Sequence, residues 1–172
     1  YVSSKLAGRI EEIFVKEGDL VKKGDKLVRM QTSTLEAQKA GTLAKIKVQE
    51  GELAMAQATV THRESAFTGA EKEFKRQSTL ISSKAVSQRE YDAAETRFNN
   101  AKADLEYAKA SVIAAEGRVA QQKAELQHIE ADLADSVLVA AYDGRIQYLL
   151  AHEGEVLSAG GRVMNLVNLT DT

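Results

Sequence analysis

Along the first part of the chain, apolar and polar positions alternate in short runs broken by glycine-centred turns. Ile10, Ile13 and Val15 precede Glu17-Gly18-Asp19, and Lys22-Lys23-Gly24-Asp25 precedes the strand-like Leu27-Val28-Arg29-Met30. Alternation of this kind predicts short β-strands. The glycines fit turn positions that need positive φ. From about Thr34 to Asp135 the turn signals vanish and the apolar period lengthens to that of a helix.

In the second part of this stretch Tyr91, Phe98, Leu105, Val112, Val119, Leu126 and Leu133 recur every seven residues. Ala94, Ala101, Ala108, Ala115, Gln122 and Ile129 follow the first six of them at a spacing of three. This is an a/d heptad seam, long enough to predict a coiled coil. In the first part Ile46, Leu53, Val60, Phe67, Phe74 and Ile81 occupy the a positions. Its d positions mix Ala56 and Ala70 with Thr42, Gln49, Arg63 and Gln77, a weaker seam. Large a and small d residues let two helices approach closely.

Signals at the ends of these helices suggest a hairpin. Ser33-Thr34-Leu35-Glu36 fits a capping box opening the first helix, and Ser87-Gln88-Arg89-Glu90 fits one opening the second. Val86 and Tyr91 have the spacing of a hydrophobic staple. Ile81-Ser82-Ser83-Lys84-Ala85-Val86 is the turn between them, with Leu35 and Leu133 equally far from residue 84. Each arm, about 47 residues long, would span about 70 Å. Gly41, Gly51, Gly69 and Gly117 weaken both arms by about 1 kcal/mol each relative to Ala, so the arms depend on one another.

The two ends of the chain repeat each other. Gly8-Arg9-Ile10, Glu17-Gly18-Asp19 and Gly24 recur as Gly144-Arg145-Ile146, Glu153-Gly154-Glu155 and Gly160, all at one offset of 136 residues. Ile13 and Leu149 obey the same offset. Half-domains of about 30 residues cannot bury a core alone. The halves are therefore expected to pack face to face. The expected division is 1–32 for one β-half, 33–135 for the helical hairpin turning at about 82–87, and 136–172 for the other β-half.

Composition narrows the chemistry. The chain has no Pro, no Cys and no Trp, and aromatics make up 5% of its 172 residues. Absence of Pro suits long helices, and absence of Cys excludes disulfides, zinc–thiolate sites and thiol catalysis. A net charge of −2 with interspersed signs gives no basic footprint for nucleic acid. His62, His128 and His152 are scattered and expected to face solvent, and Met30, Met55 and Met164 are likewise separate. No cofactor or metal is expected, and no phosphate loop or nucleophile motif is present. The chain opens at Tyr1 and stops soon after Asn165-Leu166-Val167-Asn168-Leu169, as expected of a segment of a longer protein.

The split repeat around a coiled-coil hairpin resembles the membrane fusion proteins, or periplasmic adaptor subunits, of tripartite efflux pumps and type I secretion systems. The resemblance rests on Ala7-Gly8-Arg9-Ile10, the run from Val15 to Gly24, and Ala140-Ala141-Tyr142-Asp143-Gly144-Arg145-Ile146, which look like the family's lipoyl half-motifs. The family usually has Pro where Ala141 stands. Arg76, Leu80 and Ser87 match its arginine–leucine–serine tip pattern. The resemblance implies an α+β fold, a split lipoyl-like β-sandwich interrupted by a long antiparallel coiled-coil hairpin. It also implies a non-enzymatic adaptor whose tip, through Arg76, Leu80 and Ser87, docks on a TolC-type outer-membrane channel. The implied partners are that channel and an inner-membrane transporter, ABC or proton-driven, with drugs, toxins or proteins as cargo. The implied full-length form is a periplasmic homohexamer anchored at the inner membrane by a segment outside this chain.

Two other readings compete. A structural coiled-coil tether would explain the arms but neither the repeat nor the tip pattern. A lipoyl or biotinyl carrier would need its lysine on a tight turn between the two halves. About 100 residues of helix replace that turn, and neither Met-Lys-Met nor Asp-Lys-Ala occurs.

Overall fold

The computed structural model describes residues 1–169; the last three positions of the expected second half, 170–172, lie outside the described residues. Four strands come first: β1 (Val2–Ser3), β2 (Gly8–Ile13), β3 (Leu20–Val21) and β4 (Lys26–Met30). Two long helices follow, α1 (Ser33–Ser82) and α2 (Gln88–Asp135). The chain then returns to strands as β5 (Val137–Val139), β6 (Gly144–Leu149), β7 (Val156–Leu157) and β8 (Arg162–Asn168). It divides into two compact units, residues 1–43 with the described residues from 125 onward, and residues 44–124.

The first unit is a sandwich of two antiparallel four-stranded sheets, ordered β1-β8-β6-β3 and β5-β4-β2-β7. Each sheet takes two strands from each end of the chain, so neither half forms a sheet by itself. Their inner faces enclose Ile10, Leu27, Val28, Met30, Ile146, Val163, Met164 and Leu166, all buried. Met30 and Met164, far apart in sequence, thus share one core, whereas Met55 is exposed.

The 136-residue offset is also an offset in structure. The starts of β2 and β6, of β3 and β7, and of β4 and β8 all obey it. Gly18 and Gly154 have φ of 89° and 82°, in the left-handed region that a side chain would disfavour. Their amides cross between halves: Gly18 N–H donates to the Ile146 carbonyl at 2.8 Å, and Gly154 N–H donates to the Ile10 carbonyl at 2.9 Å. Ile10 N–H bonds the Glu155 carbonyl and Ile146 N–H the Asp19 carbonyl, each at 2.9 Å. Side chains repeat the exchange, Leu149 N–H donating to Glu17 Oε1 at 2.9 Å and Ile13 N–H to Glu153 Oε1 at 3.0 Å. Each half closes the turns of the other, which is why the same glycines and carboxylates recur in both.

The start of α1 departs from the expected capping box. Glu36 N–H donates to the carbonyl of Thr32, and the Thr32 hydroxyl bonds Glu36 Oε1 at 3.1 Å. Thr32, not Ser33, is therefore the cap, and Ser33 is already helical. The backbone explains the shift. Gln31 N–H still bonds the Arg9 carbonyl of β2 at 2.8 Å, so the chain leaves the sheet at Gln31 and can turn helical at once.

In the second unit the heptad seam is the protected stripe of both helices. Ala94, Leu105, Ala108, Ala115 and Val119 are buried on α2, and Leu53, Val60, Phe67 and Phe74 are half-buried on α1. Arg63, at a d position, escapes to solvent and pairs with Asp104 across the seam at 3.7 Å. Glu52–Arg118 and Glu50–Lys123 likewise join the two helices, at 3.8 and 3.7 Å. These pairs are exposed and worth at most about 1 kcal/mol each. They fix antiparallel register more than stability.

Candidate functional site

The turn between α1 and α2 rests on an aromatic stack. Phe67 and Phe98 have ring centroids 5.5 Å apart, Phe98 and Phe74 5.1 Å, and Phe74 and Tyr91 5.7 Å. Three of the chain's four Phe residues are concentrated here. Each such pair contributes about 0.5–1.5 kcal/mol beyond its buried area. The stack clamps the helices together just before the chain reverses.

α1 then ends in a Schellman closure. Ala85 N–H donates to the Leu80 carbonyl at 3.0 Å, and Lys84 N–H donates to the Ile81 carbonyl at 3.1 Å. The hydroxyls of Ser82 and Ser83 donate to the carbonyls of Thr79 and Leu80 at 2.7 and 3.0 Å. The carbonyls of Thr79, Leu80 and Ile81, at the end of α1, gain partners in this way. The closure requires its penultimate residue to be left-handed, and Lys84 adopts φ of 60°. Among the described residues it alone does so without being glycine. That conformation costs a side-chain-bearing residue about 1–2 kcal/mol. A cation after a helix C-terminus recovers about 0.3–1 kcal/mol, so glycine would still be the cheaper choice.

α2 opens on Ser87. Its carbonyl accepts from Tyr91 N–H at 3.1 Å and its hydroxyl from Glu90 N–H at 3.2 Å. Ser87 is thus an N-cap. Arg89 lies in the first turn, where the helix dipole favours anions and opposes a cation. Among the described residues neither Lys84 nor Arg89 has an ion-pair partner, whereas Arg76 pairs with Glu73 and Lys75 with Glu71.

The three sequence-predicted residues thus fall within one reversal of the chain. Arg76 and Leu80, at i and i+4, share a face of the last turns of α1. Arg76 is exposed and Leu80 half-buried, and Ser87 is exposed across the turn. The sequence alone does not single out Lys84. Its signal was a polar, non-glycine residue between the helix-ending Ser82-Ser83 and Ala85-Val86, at the position where a Schellman closure calls for glycine.

His62, His128 and His152 are exposed, and no cluster of three His, Cys, Asp or Glu positioned to hold a metal occurs among the described residues. No helix among them is long and apolar enough to cross a membrane.

A sandwich assembled from both ends of the chain, with a helical hairpin inserted between its halves, defines a hairpin-bearing barrel-sandwich architecture. Two family models match it: "RND MFP, alpha-helical hairpin domain" over residues 52–127, and "YknX, barrel-sandwich hybrid domain" over residues 1–62. A UPF0194 membrane protein of Yersinia pseudotuberculosis is 32% identical over 97% of this chain and 58% of its own length. A 36 kDa antigen of Helicobacter pylori is 29% identical over 99% of this chain and 59% of its own. The crystal structure of MacA from Actinobacillus actinomycetemcomitans superposes with a TM-score of 0.68 at 25% identity, covering 98% of this chain and 49% of that one. The hairpin is thus similar to that of RND membrane fusion proteins, and the sandwich to the YknX barrel-sandwich hybrid domain. The chain spans less than two thirds of the length of the curated relatives it matches.

Proposed function

We propose that this chain is the lipoyl and hairpin part of a periplasmic adaptor that links an inner-membrane transporter to a TolC-type outer-membrane channel. In this reading residues 1–32 and 136–172 act as one scaffold, and 33–135 form the arm that carries the docking tip. Arg76, Leu80 and Ser87 contact the channel. The cargo is a drug, toxin or protein, the transporter is ABC-type or proton-driven, and the role is non-enzymatic. The full-length protein works as a homohexamer held at the inner membrane.

The observation that carries this reading is the turn itself. The amides of Lys84 and Ala85 bond back to the carbonyls of Ile81 and Leu80 and its base is clamped by stacked rings, yet Arg76 and Ser87 remain open to solvent. A surface held this rigidly loses little entropy when a partner covers it. Likeness to the alpha-helical hairpin domain of RND membrane fusion proteins over residues 52–127 supports the same direction.

The test is site-specific photo-crosslinking. A photoreactive residue is placed at 76, 80 or 87 of the full-length protein, with controls on the outer face at 58 and 110. Envelopes are irradiated and the adducts identified by mass spectrometry. Adducts to an outer-membrane channel from the three tip positions alone are the expected result. Equal labelling from all five positions, or no channel adduct at all, would overturn the docking role.

A further inference from the structure

We propose that Lys84 and Arg89 form a two-point cationic contact that engages carboxylates on the protein surface receiving the hairpin tip. The proposal rests on the docking reading above and deepens it, because it names the chemistry of the partner's rim. From residue 74 to residue 89 the chain carries four cations, Lys75, Arg76, Lys84 and Arg89, and no Asp or Glu. Two of the four are neutralised by Glu71 and Glu73 one turn earlier on α1. The remaining two flank the reversal itself, are exposed, and lack an ion-pair partner among the described residues.

Local stability does not account for either cation. Lys84 occupies a left-handed position at which glycine would close the helix with less strain. Arg89 faces the positive end of α2, where a neutral or acidic residue would be favoured. Both stand against the preference of their own backbone. Such departures are where a functional demand is to be sought.

An acidic protein surface fits better than an anionic membrane. Membrane-surface segments set an exposed apolar face beside their cations. No large hydrophobic residue between 74 and 90 is exposed; Leu80, Ile81 and Val86 are half-buried. What remains is a compact pair of charges on a rigid turn, which suits matching carboxylates on a partner of fixed shape.

The test uses the full-length protein and the source organism's TolC-type channel, purified in detergent, with association rates followed across a salt series. K84G, R89Q and the double variant are compared with K84R and with L80D. The double variant is expected to associate about tenfold more slowly at low salt and with a flatter salt dependence. K84G alone should melt no lower than the parent, and K84R should restore its binding. If the double variant keeps the parental rate and salt dependence while L80D abolishes binding, the cationic contact is wrong and the docking reading stands. If L80D and the double variant both bind like the parent, both ideas fall. Loss of binding to phosphatidylglycerol-containing vesicles, with channel binding unchanged, would also overturn the proposal in favour of a lipid contact.

Discussion

Gly144 lies directly against the carbonyl oxygen of Val167, so that a methyl group on its Cα would overlap that oxygen and crowd Leu166. Its counterpart at the 136-residue offset, Gly8, faces only the terminal methyl of Met30, at 3.6 Å from where a Cβ would stand. The same residue in both copies of the repeat therefore meets two different constraints. Gly144 sits where β6 pairs with β8, a neighbour whose backbone cannot yield. Gly8 pairs with Leu157 at the short edge strand β7.

Gly144→Ala is therefore expected to destabilise the chain by about 1–3 kcal/mol, the range for overpacking a filled site. Gly8→Ala should be neutral or stabilising by about 0.5–1 kcal/mol, since it removes chain entropy from a strand without a clash. Urea denaturation of the two variants, followed by circular dichroism, checks the contrast. Equal losses would mean that the repeat, not the local contact, sets the requirement.

Gly51, Gly69 and Gly117 give the opposite case. Each lies within α1 or α2 with open space where a Cβ would be. Replacing any one with Ala should stabilise the chain by about 1 kcal/mol, through helix propensity alone. Over a chain of this size that is a rise of roughly 2–4 °C in melting temperature per site. Scanning calorimetry of the single and triple variants measures it, and the effects at Gly51 and Gly69 should add, since 18 residues of helix, about 27 Å, separate them.

Much of this molecule is legible in the sequence because its strongest signals are local and periodic. The heptads of α2 place Ala94, Ala108 and Ala115 in the seam, and all three are buried. Gly18 and Gly154 mark turns that need positive φ, and both adopt it. Strand pairing is not legible in the same way. Nothing near β1 says that it joins β8, because the partner lies some 160 residues away and the choice is made by the core. The cap of α1 lies one residue before the expected one, since Thr32, Ser33 and Thr34 are all competent caps. What decided among them was the bond from Gln31 N–H to Arg9, a contact between distant strands. At the tip, Arg76, Leu80 and Ser87 came from family likeness. Lys84 could not be singled out until the closure around it was visible.

The seam gives a third prediction. Ala115 is 1% exposed at a d position of α2. Ala115→Leu forces extra methylenes between the helices and should cost about 1–3 kcal/mol. Gln49, at a d position of α1, has a buried side-chain oxygen with no hydrogen-bond partner among the described residues. Gln49→Leu should therefore stabilise, by about 1–2 kcal/mol, since it removes an unsatisfied acceptor and adds apolar area to the same seam. Thermal melts of the two variants should move in opposite directions. A loss in both would show that this seam is too tight for any branched addition.

Ser87 allows its two assigned roles to be separated. As an N-cap it bonds Glu90 N–H through its hydroxyl, and Ser87→Ala should cost about 1 kcal/mol by leaving that amide without its acceptor. Ser87→Asp keeps an acceptor at the same position and adds a negative charge to the start of α2, which the helix dipole favours. The aspartate variant should therefore melt at or above the parental temperature. Docking reads the same two changes differently. A carboxylate at 87 changes the shape of the tip, and it sets an anion beside Lys84 and Arg89 that competes with any carboxylate of the partner. Ser87→Asp should then combine full stability with impaired channel binding, and Ser87→Ala should combine lower stability with milder impairment. Melting temperature and channel pull-down, measured on the same preparations, distinguish these patterns. If binding tracks stability through both variants, Ser87 is a cap and nothing more.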